Sequence, residues 1–127
     1  MKYGYHADFI CPTLPDINNV GIDPYLAGYD AEDIFCKDVQ ALFQENNSQH
    51  AMNRLFSAIS SNLDKFHGRA RLVREKSWLG ADLFEDGSLE IVYIDGDHTY
   101  EAVVKDLAAW YLKIRKGGIL RGDDIGW

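Results

Sequence analysis

The sequence contains few cysteines, fewer basic than acidic residues and no long apolar run, and each shortage excludes a class of protein. Its two cysteines, Cys11 and Cys36, stand at a spacing that matches no zinc-binding or redox motif. We therefore expect a cytoplasmic protein with two reduced, incidental thiols. With 13 lysines and arginines against 20 aspartates and glutamates, the net charge is -7. This charge argues against nucleic acid as the main partner, because phosphate binding requires a basic surface.

The absence of long apolar stretches argues against a membrane partner. No stretch approaches the roughly 20 residues that a membrane-spanning helix needs. The N-terminal sequence MKYGYHADF is too polar for the core of a signal peptide. The region from residue 65 to residue 76 is locally basic. We interpret it first as a solvated helix end and loop, and only second as an anion site.

The length and the hydrophobic content fit one modest domain. The chain has 127 residues, of which 46% are hydrophobic. We predict a single domain over residues 1–127, in which residues 1–19 have no clear assignment. Tyr5 and Phe9 could begin a short strand that Pro12 and Pro15 would break.

Strand and helix patterns alternate along the rest of the chain. We predict strands at 20–22, 70–74, 90–94 and 119–122, and helices at 33–43, 49–66, 78–84 and from residue 100 to the glycines at 117–118. Apolar residues three and four apart define the helix at 49–66 most clearly. The alternation predicts an α/β fold with parallel strands and right-handed crossovers.

The helix that begins after residue 99 has both a start signal and an apolar pattern. Thr99 is a good N-cap residue, and Gly117 would end the helix at a Gly-Gly turn. The predicted apolar stripe includes Leu107, Trp110 and Tyr111.

Acidic residues follow the two C-terminal strands of the predicted sheet. Asp95, Asp97 and His98 follow the strand at 90–94, and Asp123 and Asp124 follow the last strand. Because parallel strands place their carboxyl ends side by side, these carboxylates can converge on one site. Hard oxygen ligands gathered in this way suit Mg²⁺ or another divalent cation.

Each of these residues also has a purely structural interpretation. Asp95-Gly96-Asp97 could form a turn in which Asp97 helps to cap the next helix. Asp123 and Asp124 could belong to a solvated acidic loop. His98 could be a general base, a ligand or a residue that starts the helix.

Two more residues are candidates for contact with a bound nucleoside. Asp23 follows the strand at 20–22 and could accept hydrogen bonds from ribose hydroxyls, or it could cap a turn before Pro24. Ser77 lies in the loop after the strand at 70–74. Its hydroxyl could touch a bound base, or it could be the N-cap of the turns that follow.

The segment IVYIDGDHTYEAVVKDLAAWYLKIRKGGILRGDD resembles the class I S-adenosylmethionine-dependent methyltransferases, in particular the group with an IDGDH strand end. VGIDPYL is similar to the second strand of that family, with Asp23 as the ribose-binding acid. The resemblance implies a Rossmann-like fold, a mostly parallel sheet with flanking helices. It also implies that Ser77, Asp95, Asp97 and His98 contact the cofactor, S-adenosylmethionine.

Asp95, Asp123 and Asp124 match the metal ligands of the metal-dependent O-methyltransferases in this family. The implied function is methyl transfer to a hydroxyl of a small-molecule acceptor, with Asp95 and His98 as catalytic residues. A divalent cation such as Mg²⁺ would bind the acceptor hydroxyl and lower its pKa.

The sequence departs from the family before the strand at 20–22, because no G-x-G pattern precedes it. The sequence also ends before the last two strands that this fold usually carries, so the resemblance implies a partial domain, truncated at both ends. Missing edge strands would favour homo-oligomers, since exposed sheet edges pair readily. Two alternatives follow: a methyltransferase-like domain without catalysis, and a metal-dependent nucleotide-sugar transferase using Asp95-Gly96-Asp97 as an Asp-x-Asp motif.

Overall fold

The computed structural model describes residues 5–28 and 33–123. The chain forms two compact units, Met1–Arg74 and Glu75–Trp127. The first unit contains α1 (Tyr5–Thr13), β1 (Asn19–Ile22), α2 (Ile34–Phe43), α3 (Ser48–Leu63) with a 3-10 turn (Asp64–Phe66), and β2 (Ala70–Val73). The second unit contains α4 (Ser77–Gly80) with a 3-10 turn (Ala81–Leu83), β3 (Leu89–Ile94), α5 (Tyr100–Tyr111) and β4 (Ile114–Gly122).

The first unit has a well-defined apolar core around α3. Asn47 caps this helix by accepting a hydrogen bond from the His50 amide at 2.9 Å. The apolar residues of the helix recur at intervals of three and four, so one face is buried, as the sequence predicts. The core consists of Ala7, Cys11, Tyr25, Cys36, Val39, Ala51, Met52, Leu55, Ile59, Leu63, Phe66 and Ala70. Both cysteines are therefore buried thiols and form no disulfide bond.

The strands of the first unit pair in parallel, as predicted. Asn19 pairs with Ala70 and Ile22 with Val73. The strands are short, and helices connect and flank them. The predicted helix at 33–43 is confirmed as α2, and the Asp33 side chain caps it by accepting from the Cys36 amide at 3.2 Å.

The predicted short strand near the N-terminus is wrong, because α1 is a helix. Ala7 and Cys11 lie four residues apart and are both fully buried, which is the spacing of one helix face. Pro12 lies in the last turn of the helix, where its missing N–H removes a single helical hydrogen bond. Tyr5 and Phe9 point outward and are about 70% exposed.

The second unit is built on the parallel pair β3 and β4. Val92 pairs with Leu120, and Ile94 pairs with Gly122. Thr99 is the N-cap of α5, as predicted, and its hydroxyl accepts from the Ala102 amide at 3.4 Å.

The buried face of α5 differs from the predicted apolar stripe. Ala102, Asp106 and Trp110 are buried at intervals of four residues. Leu107 and Tyr111 are 44% and 71% exposed, so their assignment to the buried face is wrong. The buried face is centred on the carboxylate Asp106, so it lies at a different angle around the helix axis from the predicted apolar stripe.

The two adjacent glycines do not form the predicted turn after α5. The helix ends at Tyr111, and Gly117 and Gly118 lie within β4. Here the register with β3 shifts: Leu89 pairs with Ile114, and Ile91 pairs with Ile119. A Cβ atom at Gly118 would lie 2.7 Å from the Glu90 carbonyl oxygen, so glycine permits a close backbone approach there.

The predicted fold class is confirmed as mixed α/β, with short parallel strands and flanking helices. The strands pair in twos within the described residues, β1 with β2 and β3 with β4. The assignment of residues 1–127 to a single partial domain stays a prediction. Among the described helices, none combines the length and the apolar character that crossing a membrane requires.

Candidate functional site

The carboxyl ends of β3 and β4 meet at one edge of the second unit. Ile94 and Gly122 are partners in the parallel pair, and the amide of Asp123 donates to the Ile94 carbonyl at 2.9 Å. Asp95 and Asp123 therefore follow neighbouring strands directly. The two strand ends are neighbours, as predicted, whereas a shared site of the two carboxylates stays a prediction. We call the segment Asp95–His98 together with Asp123 the acidic edge.

Tyr93 is a member of this region that the sequence does not suggest. Its hydroxyl hydrogen-bonds to Asp123. Loss of hydration raises the pKa of Tyr93 above its ordinary value, and the bond to Asp123 and the charges of Asp123 and Asp95 raise it further. The positive charge of Arg121 lowers the pKa of Tyr93. Both carboxylates thus act on one phenolic hydroxyl.

Two of the three predicted metal ligands, Asp95 and Asp123, lie in the described part of the acidic edge. Within residues 5–28 and 33–123, no group of three or more His, Cys, Asp or Glu side chains is arranged to hold a metal ion. Asp124, the third predicted ligand, lies outside the described residues. The predicted metal site of Asp95, Asp123 and Asp124 therefore stays a prediction.

The loop between β3 and α5 is shaped by hydrogen bonds of its own. Asp97 Oδ1 accepts from the Thr99 amide at 2.8 Å, so this residue supports the turn into α5, as its structural interpretation predicts. His98 Nε2 lies 4.0 Å from Asp95 Oδ1. Both side chains are substantially exposed, so this contact contributes little to stability.

Ser77 is held in a network beneath the acidic edge. The indole Nε1 of Trp110 donates to Ser77 Oγ at 3.0 Å. The Ser77 side chain also lies close enough to Asp106 to lower the pKa of that carboxyl. Lys76, not Ser77, is the N-cap residue of α4, so the capping interpretation of Ser77 is wrong.

Asp106 is the buried carboxylate of this network, and the sequence does not suggest it. It is 1% exposed, and its Oδ1 has no hydrogen-bond partner within the part of the chain that the structure describes. Burial raises the pKa of Asp106, the nearby Ser77 side chain lowers it, and the charge of Asp97 raises it. A Cβ atom at Gly96 would lie 3.3 Å from Asp106 Oδ2, so the loop passes directly over the carboxylate.

In the first unit, Asp23 holds the turn that follows β1. Its amide donates to the Val73 carbonyl at 3.1 Å, which continues the pairing with β2. Its Oδ1 accepts from the Tyr25 amide at 2.8 Å, across Pro24. The turn interpretation of Asp23 is therefore confirmed, whereas ribose binding stays a prediction. Burial, and then the charge of Asp23, raises the pKa of Tyr25.

Arg74 fixes the same turn from the end of β2. Its guanidinium donates to the Pro24 carbonyl at 3.2 Å and to the Tyr25 carbonyl at 3.1 Å. It also donates to Asn53 and lies over the Phe56 ring, 5.4 Å from the centroid. This member of the basic region therefore serves the structure of the turn rather than an anion site.

The sequence model of a family described as methyltransferase domain matches residues 1–125. The chain belongs to this methyltransferase domain family. No curated protein and no solved structure matches the chain significantly. The parallel strands and flanking helices agree with the Rossmann-like fold of such a methyltransferase domain, which confirms the predicted fold class.

The structure places the predicted site residues of this methyltransferase domain in two groups. The acidic edge holds Asp95, Asp97, His98 and Asp123, and Ser77 is connected to it through Asp106, which lies beneath Gly96. Asp23 belongs to the first unit, where it follows β1. Each described residue therefore lies at or just beyond the carboxyl end of a strand, where open α/β sheets bind ligands.

Proposed function

We propose that this methyltransferase domain transfers a methyl group from S-adenosylmethionine to a hydroxyl group of a small molecule. The observation that supports the proposal is the acidic edge, where Asp95 and Asp123 follow paired parallel strands. The family match supports methyl transfer in general, and it favours this function over the nucleotide-sugar alternative. The hydroxyl acceptor is inferred from the resemblance to the metal-dependent O-methyltransferases.

The described residues fit the cofactor by their hydrogen-bonding chemistry. The ribose of a nucleoside offers hydroxyl donors and adenine offers an amino donor, so their site needs acceptors. Asp23, at the end of β1, supplies a carboxylate for the ribose. Within the second unit, Ser77 Oγ and the carboxylates of the acidic edge are also acceptors. When bound, S-adenosylmethionine supplies a methyl group on a positively charged sulfur.

The acidic edge can also prepare the acceptor hydroxyl for methyl transfer. In this proposal His98, whose Nε2 lies 4.0 Å from Asp95 Oδ1, takes up the hydroxyl proton as a general base. Asp95 and Asp123 would hold a divalent cation, together with Asp124. Such a cation would lower the pKa of the acceptor hydroxyl, and the carboxylates fix where that hydroxyl lies.

Isothermal titration with S-adenosylhomocysteine, with and without Mg²⁺, tests the proposal. We expect the folded chain to bind, and Asp23→Ala to abolish or strongly weaken that binding. Asp16→Ala is the matched control, because this carboxylate is exposed and lies before β1. The absence of binding at millimolar ligand, from a chain that circular dichroism shows to be folded, would contradict the proposal. Binding of uridine diphosphate with Mn²⁺ instead would favour the nucleotide-sugar alternative.

A further inference from the structure

Tyr25 has a strained backbone conformation, two residues after the predicted ribose-binding residue Asp23. Its φ is 47°, in the left-handed region that a bulky side chain rarely adopts. Its side chain is 1% exposed, and its ring packs edge-on against Phe56 of α3 at a centroid distance of 5.6 Å. Because the backbone conformation is unfavourable in itself, the surrounding residues have to maintain it.

The side-chain amide of Gln49, in the first turn of α3, bonds two peptide groups of the segment that follows β1. Its Oε1 accepts from the Ala27 amide at 3.1 Å, and its Nε2 donates to the Tyr25 carbonyl at 3.0 Å. Only this orientation of the side-chain amide satisfies both groups, because the first is a donor and the second is an acceptor. Gln49 thus ties the segment after β1 to a helix of the same unit.

A second side chain of α3 supports this arrangement. Asn53 lies one helical turn after Gln49, and its Oδ1 accepts from Gln49 Nε2 at 3.0 Å. The same oxygen accepts from Arg74, which also donates to the Tyr25 carbonyl at 3.1 Å. The Tyr25 carbonyl is therefore bonded both to α3 and to the side chain that follows β2.

The Tyr25 amide connects this network to Asp23. It donates to Asp23 Oδ1 at 2.8 Å, and the backbone amide of Asp23 donates to the Val73 carbonyl at 3.1 Å. The main chain of Asp23 is thus fixed by strand pairing, whereas the direction of its carboxylate is tied to the Tyr25 amide. A change that releases the Tyr25 peptide group should therefore leave β1 in place and let the carboxylate turn.

We propose that Gln49 is a positioning residue: by holding Tyr25 and Ala27, it orients the Asp23 carboxylate for the ribose hydroxyls of the cofactor. This inference rests on the proposed function, in which Asp23 binds the ribose. Gln49 acts through the Tyr25 peptide group, as a supporting residue that preorganises a binding group. Its effect is then specific to ligands that carry the ribose hydroxyls, because other ligands gain nothing from an oriented carboxylate.

Two variants and a matched control test this role. Gln49→Met removes both hydrogen bonds to the segment after β1, whereas Gln49→Glu keeps an acceptor for the Ala27 amide and loses the donor to Tyr25. Gln40→Met is the control, because Gln40 Nε2 also donates to a backbone carbonyl, that of Asn46 between α2 and α3, at 2.7 Å.

Three quantities are measured for each chain, after circular dichroism has shown that it is folded. The first is the affinity for S-adenosylhomocysteine. The second is the affinity for an analogue of S-adenosylhomocysteine that lacks the two ribose hydroxyls. The third is the hydrogen-exchange rate of the Ala27 amide, which reports on its bond to Gln49 without any ligand.

We expect Gln49→Met to weaken the binding of S-adenosylhomocysteine about fivefold to thirtyfold, because hydrogen bonds to a charged group are involved. Binding of the analogue should change by about twofold or less, so most of the preference for the ribose hydroxyls is lost. The Ala27 amide should exchange faster. Gln49→Glu should also lose preference but keep slow exchange at Ala27, and Gln40→Met should match the wild type in all three quantities.

The inference fails if Gln49→Met weakens the binding of both ligands equally, since that would indicate a merely structural residue. It also fails if the preference is unchanged in Gln49→Met or, should that variant not fold, in Gln49→Glu. Unchanged exchange at Ala27 in Gln49→Met would show that the hydrogen bond is not formed. A wild-type chain that binds neither ligand would contradict the proposed function, while the exchange at Ala27 would still decide whether Gln49 holds the segment.

Discussion

The turn after β1 and the acidic edge both follow parallel strands, but their polar groups are used differently. In the first unit, Asp23 is bonded to the Tyr25 amide, and Arg74 donates to two backbone carbonyls of the same turn. In the second unit, carboxylates gather around Tyr93, and one oxygen of Asp106 lies buried without a partner among the described residues. Electrostatic strain of this kind is concentrated at functional sites. This contrast is the reason why the proposed methyl transfer is assigned to the acidic edge.

The packing of the two units shows the same contrast. The core of the first unit is a continuous cluster of buried apolar residues around α3. In the second unit, Ile91 and Ile119 are each 57% exposed, and Leu107 is 44% exposed. The first unit thus derives more of its stability from burial of apolar side chains.

The largest effect is expected from a cavity in the core of the first unit. Leu63 is 2% exposed, and Leu63→Ala should lower the free energy of unfolding by about 2–5 kcal/mol. The matched change on an exposed helical leucine, Leu107→Ala, should change it by about 0.5 kcal/mol or less. Urea unfolding followed by circular dichroism measures both. Similar losses in the two variants would contradict the contrast in packing.

A smaller loss of stability is expected when the hydrogen bonds from Arg74 to the turn after β1 are removed. Arg74→Met keeps an apolar side chain near Phe56 but loses the cation over the ring and the hydrogen bonds to Pro24, Tyr25 and Asn53. We expect a decrease of about 1–2 kcal/mol in the free energy of unfolding, because hydrogen bonds from a charged group are involved. Arg71→Met, at an exposed position of β2, is the control. Equal stability of both variants would show that the hydrogen bonds of Arg74 do not stabilise the folded chain.

The pH dependence of stability provides a further test of the contrast, because it depends on the buried carboxyl of Asp106. Its folded-state pKa is raised above the ordinary value of 3.8, mainly by burial. The folded chain therefore binds this proton more tightly than the unfolded chain. The resulting stabilisation is complete below pH 3.8 and is lost as pH rises through the folded-state pKa.

The side chain at position 106 cannot titrate in Asp106→Asn, so the variant and the wild type differ in the pH dependence of their stability. The free energy of unfolding of the variant minus that of the wild type should increase as pH rises from below 3.8, and then level off. Paired urea titrations across this range measure the difference, in which the other titrating groups largely cancel. A difference that is constant with pH would show that the carboxyl of Asp106 is not perturbed in the folded chain.

The smallest effect is expected at the partly exposed Tyr93. Asp123→Asn removes a negative charge and weakens the hydrogen bond, so it should lower the pKa of Tyr93 toward its ordinary value of 10.0. Glu90→Gln, at an exposed position of β3, should leave that pKa nearly unchanged. Titration of the tyrosine ring carbons by NMR measures the shift. A Tyr93 pKa that does not respond to Asp123→Asn would mean that the acidic edge is more open than the structure indicates.

The sequence predicts those elements whose local pattern and tertiary environment agree. Helix α3 combines an N-cap with apolar residues at helical spacing, and the strands that precede Asp95 and Asp123 combine apolar runs with polar ends. The convergence of Asp95 and Asp123 follows from parallel pairing alone. This part of the site can therefore be predicted from geometry that all parallel sheets share.

The elements that the sequence does not predict depend on contacts that hydrophobicity does not encode. Helix α1 buries only the small side chains of Ala7 and Cys11, which make no visible stripe. Helix α5 turns inward a carboxylate that the apolar pattern assigns to solvent, so the predicted face is displaced. The interval of four between Ala102, Asp106 and Trp110 is the signal that could have indicated Asp106. The contact of Tyr93 with Asp123 depends on the register between β3 and β4, which the sequence does not show.

The most direct test of ligand binding at the acidic edge is to map it onto single residues. The isotopically labelled chain is titrated with S-adenosylhomocysteine, and the backbone amide resonances are followed by NMR. We predict saturable shifts at Gly96, Asp97 and Asp123, and at Ser77, with little change at Leu55 and Ile59 in the core of the first unit. Shifts that leave the acidic edge unaffected, or no shifts at millimolar ligand in a folded chain, would contradict a cofactor site at the ends of β3 and β4.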